Sequence, residues 1–314
     1  MAKPPAKKNT PNKPGAKRPG NAGPSGRPAG LFTWLVVGMV VVVIVAILGI
    51  KIFSGGTKTK VPNGTWQATS ASMVSQLTTI PASTFDTVGV TSTVVPVRNL
   101  PVKTSGQKVL AWPDTHGVKR PTVFYFGSEY CPYCAAERWS TIIALSRFGT
   151  WSNLGNSTSS TTDVYPSTPT FTFLKATFAS KYVNFVSVEN LSNVPSPTTG
   201  YTVLQNPTAA EKALLTKYDN GQYIPGGSTG SIPFISYANQ YLGSGAIFSP
   251  SAFSHTTRDA VSGILSDPTN ALAQAIVTAA NYQTAVICTL TKQAPTNVCT
   301  SSGVKAAKTV LHIK

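Results

Sequence analysis

Hydrophobic positions fall along this chain in contrasting rhythms. Residues 31–50 are twenty residues without a charge, nearly all of them apolar. A run of that length crosses a bilayer as a helix rising about 1.5 Å per residue. Further on, Thr122-Val123-Phe124-Tyr125-Phe126 predicts a buried strand, and Ala135, Trp139, Ile142 and Ile143 then recur at helical spacing. The same spacing of Leu272, Ile276, Ala279, Val286, Ile287 and Leu290 predicts a C-terminal helix from Asn270 to about Leu290.

Shorter signals fill the interval. Lys108 to Trp112 reads as a first strand, and Thr170 to Leu174 and Tyr182 to Glu189 as two more. A Ser/Thr/Asn-rich stretch from Thr150 to Thr162 reads as a surface loop. Asn206 is placed to cap a helix that Gly221 closes. After Pro233, Phe234 to Tyr237 turns through Ala238-Asn239-Gln240 into Tyr241-Leu242-Gly243, which predicts a hairpin.

Composition divides the chain into parts. Residues 1–30 are Lys, Pro, Gly and Asn with little apolar surface, a composition that predicts a disordered basic tail. The span of 31–53 is then an anchor. A cleavable signal peptide is the rival, but its apolar region is usually about 7 to 15 residues and no small-x-small site stands out. The positive-inside rule keeps the basic flank cytoplasmic and exports the chain beyond the anchor. Residues 54–100, rich in Ser, Thr and Gly with a weak helix near Ala71 to Ile80, read as a stalk, and 101–314 as the extracytoplasmic body. Ten of the 26 basic residues and none of the ten acidic ones precede residue 61, so the rest is only about +6 out of +16. That balance gives no reason to expect nucleic acid as a partner.

The chemistry lies in four cysteines, Cys131, Cys134, Cys288 and Cys299. In an exported domain an even count reads as two disulfides. Cys131 and Cys134 fall where the strand gives way to the helix, with Pro132 at the first helical position, where its missing N–H costs nothing. Unpaired N–H groups there lower the pKa of a thiol at Cys131, the candidate nucleophile. Cys134, on the same face, is then the resolving thiol. Half a zinc site has the same pattern. No second Cys-x-x-Cys exists, however, and His116, His255 and His312 stand at no ligand spacing, so neither metal nor cofactor is expected. A purely structural bond remains the other reading. Cys288 and Cys299 read as a staple, with an electron relay to the first pair as the rival.

The string Phe126 to Cys134 resembles the active-site segment of thioredoxins, and its Cys-Pro-Tyr-Cys is the glutaredoxin form. The order of elements is similar to an α/β thioredoxin-like fold, here with an inserted region at about 150–230. Ile232-Pro233 matches that family's cis-proline loop, which lies beside the active-site cysteines and offers backbone to an extended peptide. The exported part looks like the membrane-anchored proteins grouped as domain of unknown function 929. What the resemblance implies is a membrane-anchored extracytoplasmic thiol–disulfide oxidoreductase acting through Cys131 and Cys134 on thiols or disulfides of exported proteins. Ile232, Pro233 and Tyr133 would edge its substrate groove. An oxidase or isomerase is favoured over a reductase, which needs electrons carried across the membrane. The alternative is a non-enzymatic scaffold of the same fold with structural disulfides. One departure is Tyr125, at the position where thioredoxins carry a buried acid. Glu129 is nearer, and reads as a solvated loop residue.

Overall fold

The computed structural model describes residues 66–313 apart from 93 and 199. The basic tail, the apolar run of 31–50 and the first part of the expected stalk lie outside the described residues. Among the described residues no helix is long and apolar enough to cross a membrane.

The protein is a mixed α/β structure built on a five-stranded sheet. Its strands are β1 (Val102–Lys103), β2 (Thr122–Gly127), β3 (Asn184–Glu189), β4 (Phe234–Tyr237) and β5 (Tyr241–Ser244), and their order across the sheet is β1-β5-β4-β2-β3. Strands β2 and β3 are parallel, in register from Thr122 with Asn184 to Gly127 with Glu189. Strand β4 runs antiparallel to β2, pairing Phe234 with Phe126 and Tyr237 with Val123. It turns into β5 as the predicted hairpin, through Ala238 and Asn239 at positive φ.

The alternation of side chains along β2 sorts its residues between two cores. Val123 and Tyr125 enter the larger apolar cluster, together with Ile235 and Tyr237 of β4. Phe124 points the other way and joins Val188, Leu214, Tyr218, Phe234 and Leu242. A strand buried on both faces needs no polar alternation, which is why the sequence around Phe124 reads as one apolar run.

Helices cover both faces. Before the sheet come α1 (Ala71–Thr78) and α2 (Ala82–Val88); α3 (Pro132–Ser146) follows β2, and α4 (Ala209–Tyr218) follows β3. After the hairpin stand α5 (Arg258–Ile264), α6 (Ala271–Leu290), α7 (Thr296–Cys299) and α8 (Ser302–Val310). Helix α3 is buried almost all round because it packs against α6, α1 and the strand of Pro169–Thr172, and its Trp139 Nε1 donates to the Pro169 carbonyl at 2.9 Å. Helix α6 starts at Asn270, whose side chain accepts from the Leu272 and Ala273 N–H groups.

Several sequence expectations are corrected. Residues 66–100 are part of the body and not of a stalk: Met73, Leu77, Phe85 and Val88 are buried in the larger core. The buried Asn281 of α6 donates to the carbonyls of Phe85 and Gly89 at the end of α2. The strand expected at Lys108 to Trp112 is a loop, tied to Ala238 and Thr122 through Leu110, and the edge strand is β1. Helix α4 starts two residues later than predicted, because Thr208 and Glu211 form a reciprocal capping box that Asn206 cannot match.

The Ser/Thr/Asn-rich stretch is no surface loop. Thr150–Ser152 pairs with Thr177–Ala179, and Gly155–Thr158 lies between Gln67–Ala68 and Pro169–Thr172. Ser159 and Ser160 are buried, and Ser159 Oγ accepts from Thr168 N while donating to the Tyr165 carbonyl. Nor is the expected insertion of 150–230 one block, since it contains β3 and α4. The small sheets come before β3, and a hairpin of Leu191–Ser196 with Gly200–Val203 follows it.

Candidate functional site

Strand β2 ends at Gly127, and Ser128 to Tyr130 carry the chain to Cys131, the N-cap of α3. With φ −75° and ψ 121°, Cys131 is still extended, so its sulfur turns back over the first helical turn. There Sγ accepts a hydrogen bond from Cys134 N–H at 3.2 Å. Both cysteines are free thiols. Cys131 is 5% exposed and Cys134 is fully buried.

The second piece arrives from far along the chain. The Ile232–Pro233 peptide bond is cis, and the Ile232 carbonyl lies 3.9 Å from Cys131 Sγ, within reach of its S–H. Pro233 then leads directly into β4 beside β2. Three residues singled out from the sequence, Cys131, Ile232 and Pro233, therefore meet at one end of the sheet. Tyr133 is 38% exposed and packs edge-on to Tyr165 at 5.9 Å.

The two thiols differ in acidity. Hydrogen bonding from Cys134, through its thiol and its backbone N–H, holds the Cys131 pKa below the ordinary thiol value despite burial. Burial, and then the bond to Cys131, push Cys134 well above it. That asymmetry is what a nucleophile and a resolving thiol require: one sulfur is ionised more easily, and the other is held protonated until the first has reacted.

Beneath the motif is a charged group that sequence reasoning missed. Arg138, one turn after Cys134 on α3, forms a fully buried two-pronged ion pair with Glu189 at the end of β3, at 2.6 and 2.9 Å. Arg138 Nη2 also donates to the Ser128 carbonyl at 2.9 Å, and Glu189 accepts from Phe173 N–H at 3.0 Å. Glu129, expected as a solvated loop residue, is buried; burial raises its pKa, against the pull of side-chain hydrogen bonds from Thr172 and Ser157. The strand of Gly155–Thr158 and its partner Pro169–Thr172 bring those hydroxyls. Tyr125 is buried under the motif, where a Cβ on Gly127 would collide with its phenol oxygen. The one sequence signal was Arg138 itself, a charge on a helix whose other positions are mostly small or apolar.

The hairpin after β3 and the loop at Ser160 border the motif. Tyr130 stacks on Tyr201 with ring centroids 4.3 Å apart, and its carbonyl accepts from Ser160 N–H. Cys288 and Cys299, by contrast, are joined by a disulfide and buried in the larger apolar core. Among the described residues no group of three or more His, Cys, Asp or Glu side chains is arranged to hold a metal ion. A cleft of about 630 Å³ lined by Gln107, Trp112, Leu214 and Lys217 contains none of the cysteines.

Fold and site together define a mixed α/β protein with a buried dithiol at a strand-to-helix junction. The family model described as Domain of unknown function (DUF929) matches residues 114–289, more than half of the chain, and the protein belongs to that family. The match runs from before Cys131 through Pro233 to Cys288. No curated protein and no solved structure matches the chain.

Proposed function

We propose that this protein is a membrane-anchored, extracytoplasmic thiol–disulfide oxidoreductase of thioredoxin-like fold, working on exported proteins as an oxidase or isomerase. The order β2, α3, β3, α4, β4, β5, α6 supports the fold, and the uncharged run of 31–50 supports the anchor. The observation that carries the chemistry is the Ile232 carbonyl against the Sγ of Cys131, the thiol whose pKa is lowered.

Starting from the dithiol, the Cys131 thiolate attacks one sulfur of a protein disulfide. A Cys131 mixed disulfide forms and the other substrate sulfur leaves as a thiolate. Cys134 then loses its proton and attacks Cys131 Sγ, forming the Cys131–Cys134 bond and releasing the second substrate thiolate. Two electrons pass from the pair to the substrate disulfide. Every step reverses, so the oxidised pair passes a disulfide to an exported dithiol, and a different protein disulfide reoxidises the pair. Substrate backbone would pair with the edge at Ile232 and Pro233, with Tyr133 at its rim.

Mixed-disulfide trapping tests this reading. Cys134→Ser is expected to accumulate covalent adducts between Cys131 and exported proteins, resolved by reductant. No adducts, together with a Cys131 pKa near 8.5, overturn it. The burial of both sulfurs favours a second reading, a scaffold whose Cys131–Cys134 bond is permanent. A reduction potential for the pair below about −300 mV supports that alternative.

A further inference from the structure

We propose that Arg138, clamped by Glu189, is the positioning residue that lets the buried Cys134 act as a thiolate. This inference rests on the oxidoreductase reading and names the group that reading lacks. Cys134 is fully buried, and a thiolate without a compensating charge is costly there. Thioredoxin-like sites place an acid at the position held here by Tyr125, and a phenol in that place brings no charge to the pair.

Arg138 supplies charge of the opposite sign from a different direction. It lies four residues after Cys134, on the same face of α3. Its guanidinium is held on two sides, by both carboxylate oxygens of Glu189 and by the Ser128 carbonyl, the turn that also receives the Cys131 N–H at 3.4 Å. Nη1 is buried with no hydrogen-bond acceptor among the described residues, so Glu189 leaves part of its donor capacity uncommitted. Tyr125 closes the other side, its ring centroid 5.8 Å from the guanidinium carbon, and its phenol oxygen too is buried without a partner. The positive charge draws both thiols toward their ionised forms.

The same arrangement serves both directions of exchange. When the dithiol resolves a mixed disulfide, Arg138 stabilises the Cys134 thiolate that attacks Cys131 Sγ. When a substrate thiolate opens the oxidised pair at Cys131, Arg138 stabilises the Cys134 thiolate that leaves. A purely structural ion pair predicts neither effect.

The test resolves two events separately in the full-length protein in detergent. Reduced protein reacts with Ellman's disulfide reagent: attack by Cys131 releases one coloured thiolate, and resolution by Cys134 releases a second. In Arg138→Gln/Glu189→Gln, which removes both charges together, the second phase is expected to slow about threefold: one pKa unit of lost stabilisation leaves about tenfold less thiolate, and the greater nucleophilicity of the more basic sulfur offsets part of that. The first phase should change far less, and Arg138→Lys should keep most of the second. Equal slowing of both phases, or an unchanged second phase, overturns the proposal. If the double variant does not fold, Arg138→Met/Glu189→Leu, which replaces the buried pair by apolar groups of similar size, takes its place with the same expected and overturning results. A wild-type protein that releases no thiolate removes the oxidoreductase reading itself and this inference with it, whereas normal release by both wild type and double variant removes only the role of Arg138.

Discussion

Cys288 and Cys299 are sealed in the larger apolar core, whereas Cys131 and Cys134 are equally out of reach of bulk water but sit among helix N–H groups, a carbonyl and a buried cation. Each pair lies near a cis proline, Pro295 within the loop of the first and Pro233 against the second. Burial alone therefore does not separate the bonded pair from the free one. What separates them is the polarity supplied around the sulfur. Cys131 has donors that favour its ionised form; the bonded pair has apolar neighbours and eleven residues of chain to hold together.

The strongest way to break the comparison is to remove one sulfur. Cys131→Ser is expected to bring disulfide exchange down to background while the fold remains, read by Ellman kinetics alongside a thermal melt. Cys288→Ala/Cys299→Ala should do the reverse. Loss of a loop of that size costs about 3 kcal/mol in the chain-entropy model, read from guanidinium unfolding, with the exchange rate of Cys131 kept. If the double alanine variant loses exchange and keeps its stability, the second pair is a relay and not a staple.

The two regions touch through a titrating group. Glu137, on the helix that carries the two free thiols, accepts from Gln283 of α6 at 2.9 Å and from Ile247 N–H at 3.0 Å. Burial pushes its pKa up to about 8. The folded state thus binds a proton that the unfolded chain has released, and this contribution, complete below the ordinary carboxylate pKa of about 4.3, is lost as pH rises through about 8. Stability should fall across that window, and Glu137→Gln should flatten the fall, measured by unfolding at several pH values. A Gln variant with the wild-type slope would place the titration elsewhere. The smallest effect is expected at the rim: Tyr133→Ala should raise KM for a cysteine-containing peptide a few-fold and leave the reaction with Ellman's reagent unaltered.

Much of the region around Cys131 and Cys134 was legible because its signals are local. An apolar run ending at Phe126, a proline at the first helical position and small residues along α3 each specify backbone within one turn. The C-terminal helix was legible for the same reason. Glu129 was misread because its burial depends on strands that arrive from 155–158 and 169–172, and those strands were themselves hidden: a Ser/Thr/Asn stretch looks like loop until each hydroxyl finds a partner inside. Residues 66–100 were misread as stalk because Met73 and Leu77 make a weak helical stripe alone, and only α3 and α5 give it something to cover.

The sequence by itself determined the strand, the helix and the place of two thiols at the junction between them, since those depend on neighbours within a few residues. Only the tertiary structure decided what surrounds the thiols. Parallel pairing of β2 with β3 sets Glu189 beside Gly127, so that Arg138 reaches a carboxylate 51 residues away. Antiparallel pairing with β4 sets the Ile232 carbonyl, 101 residues along, against Cys131. Strand register makes contacts between distant residues, and no local pattern carries that information.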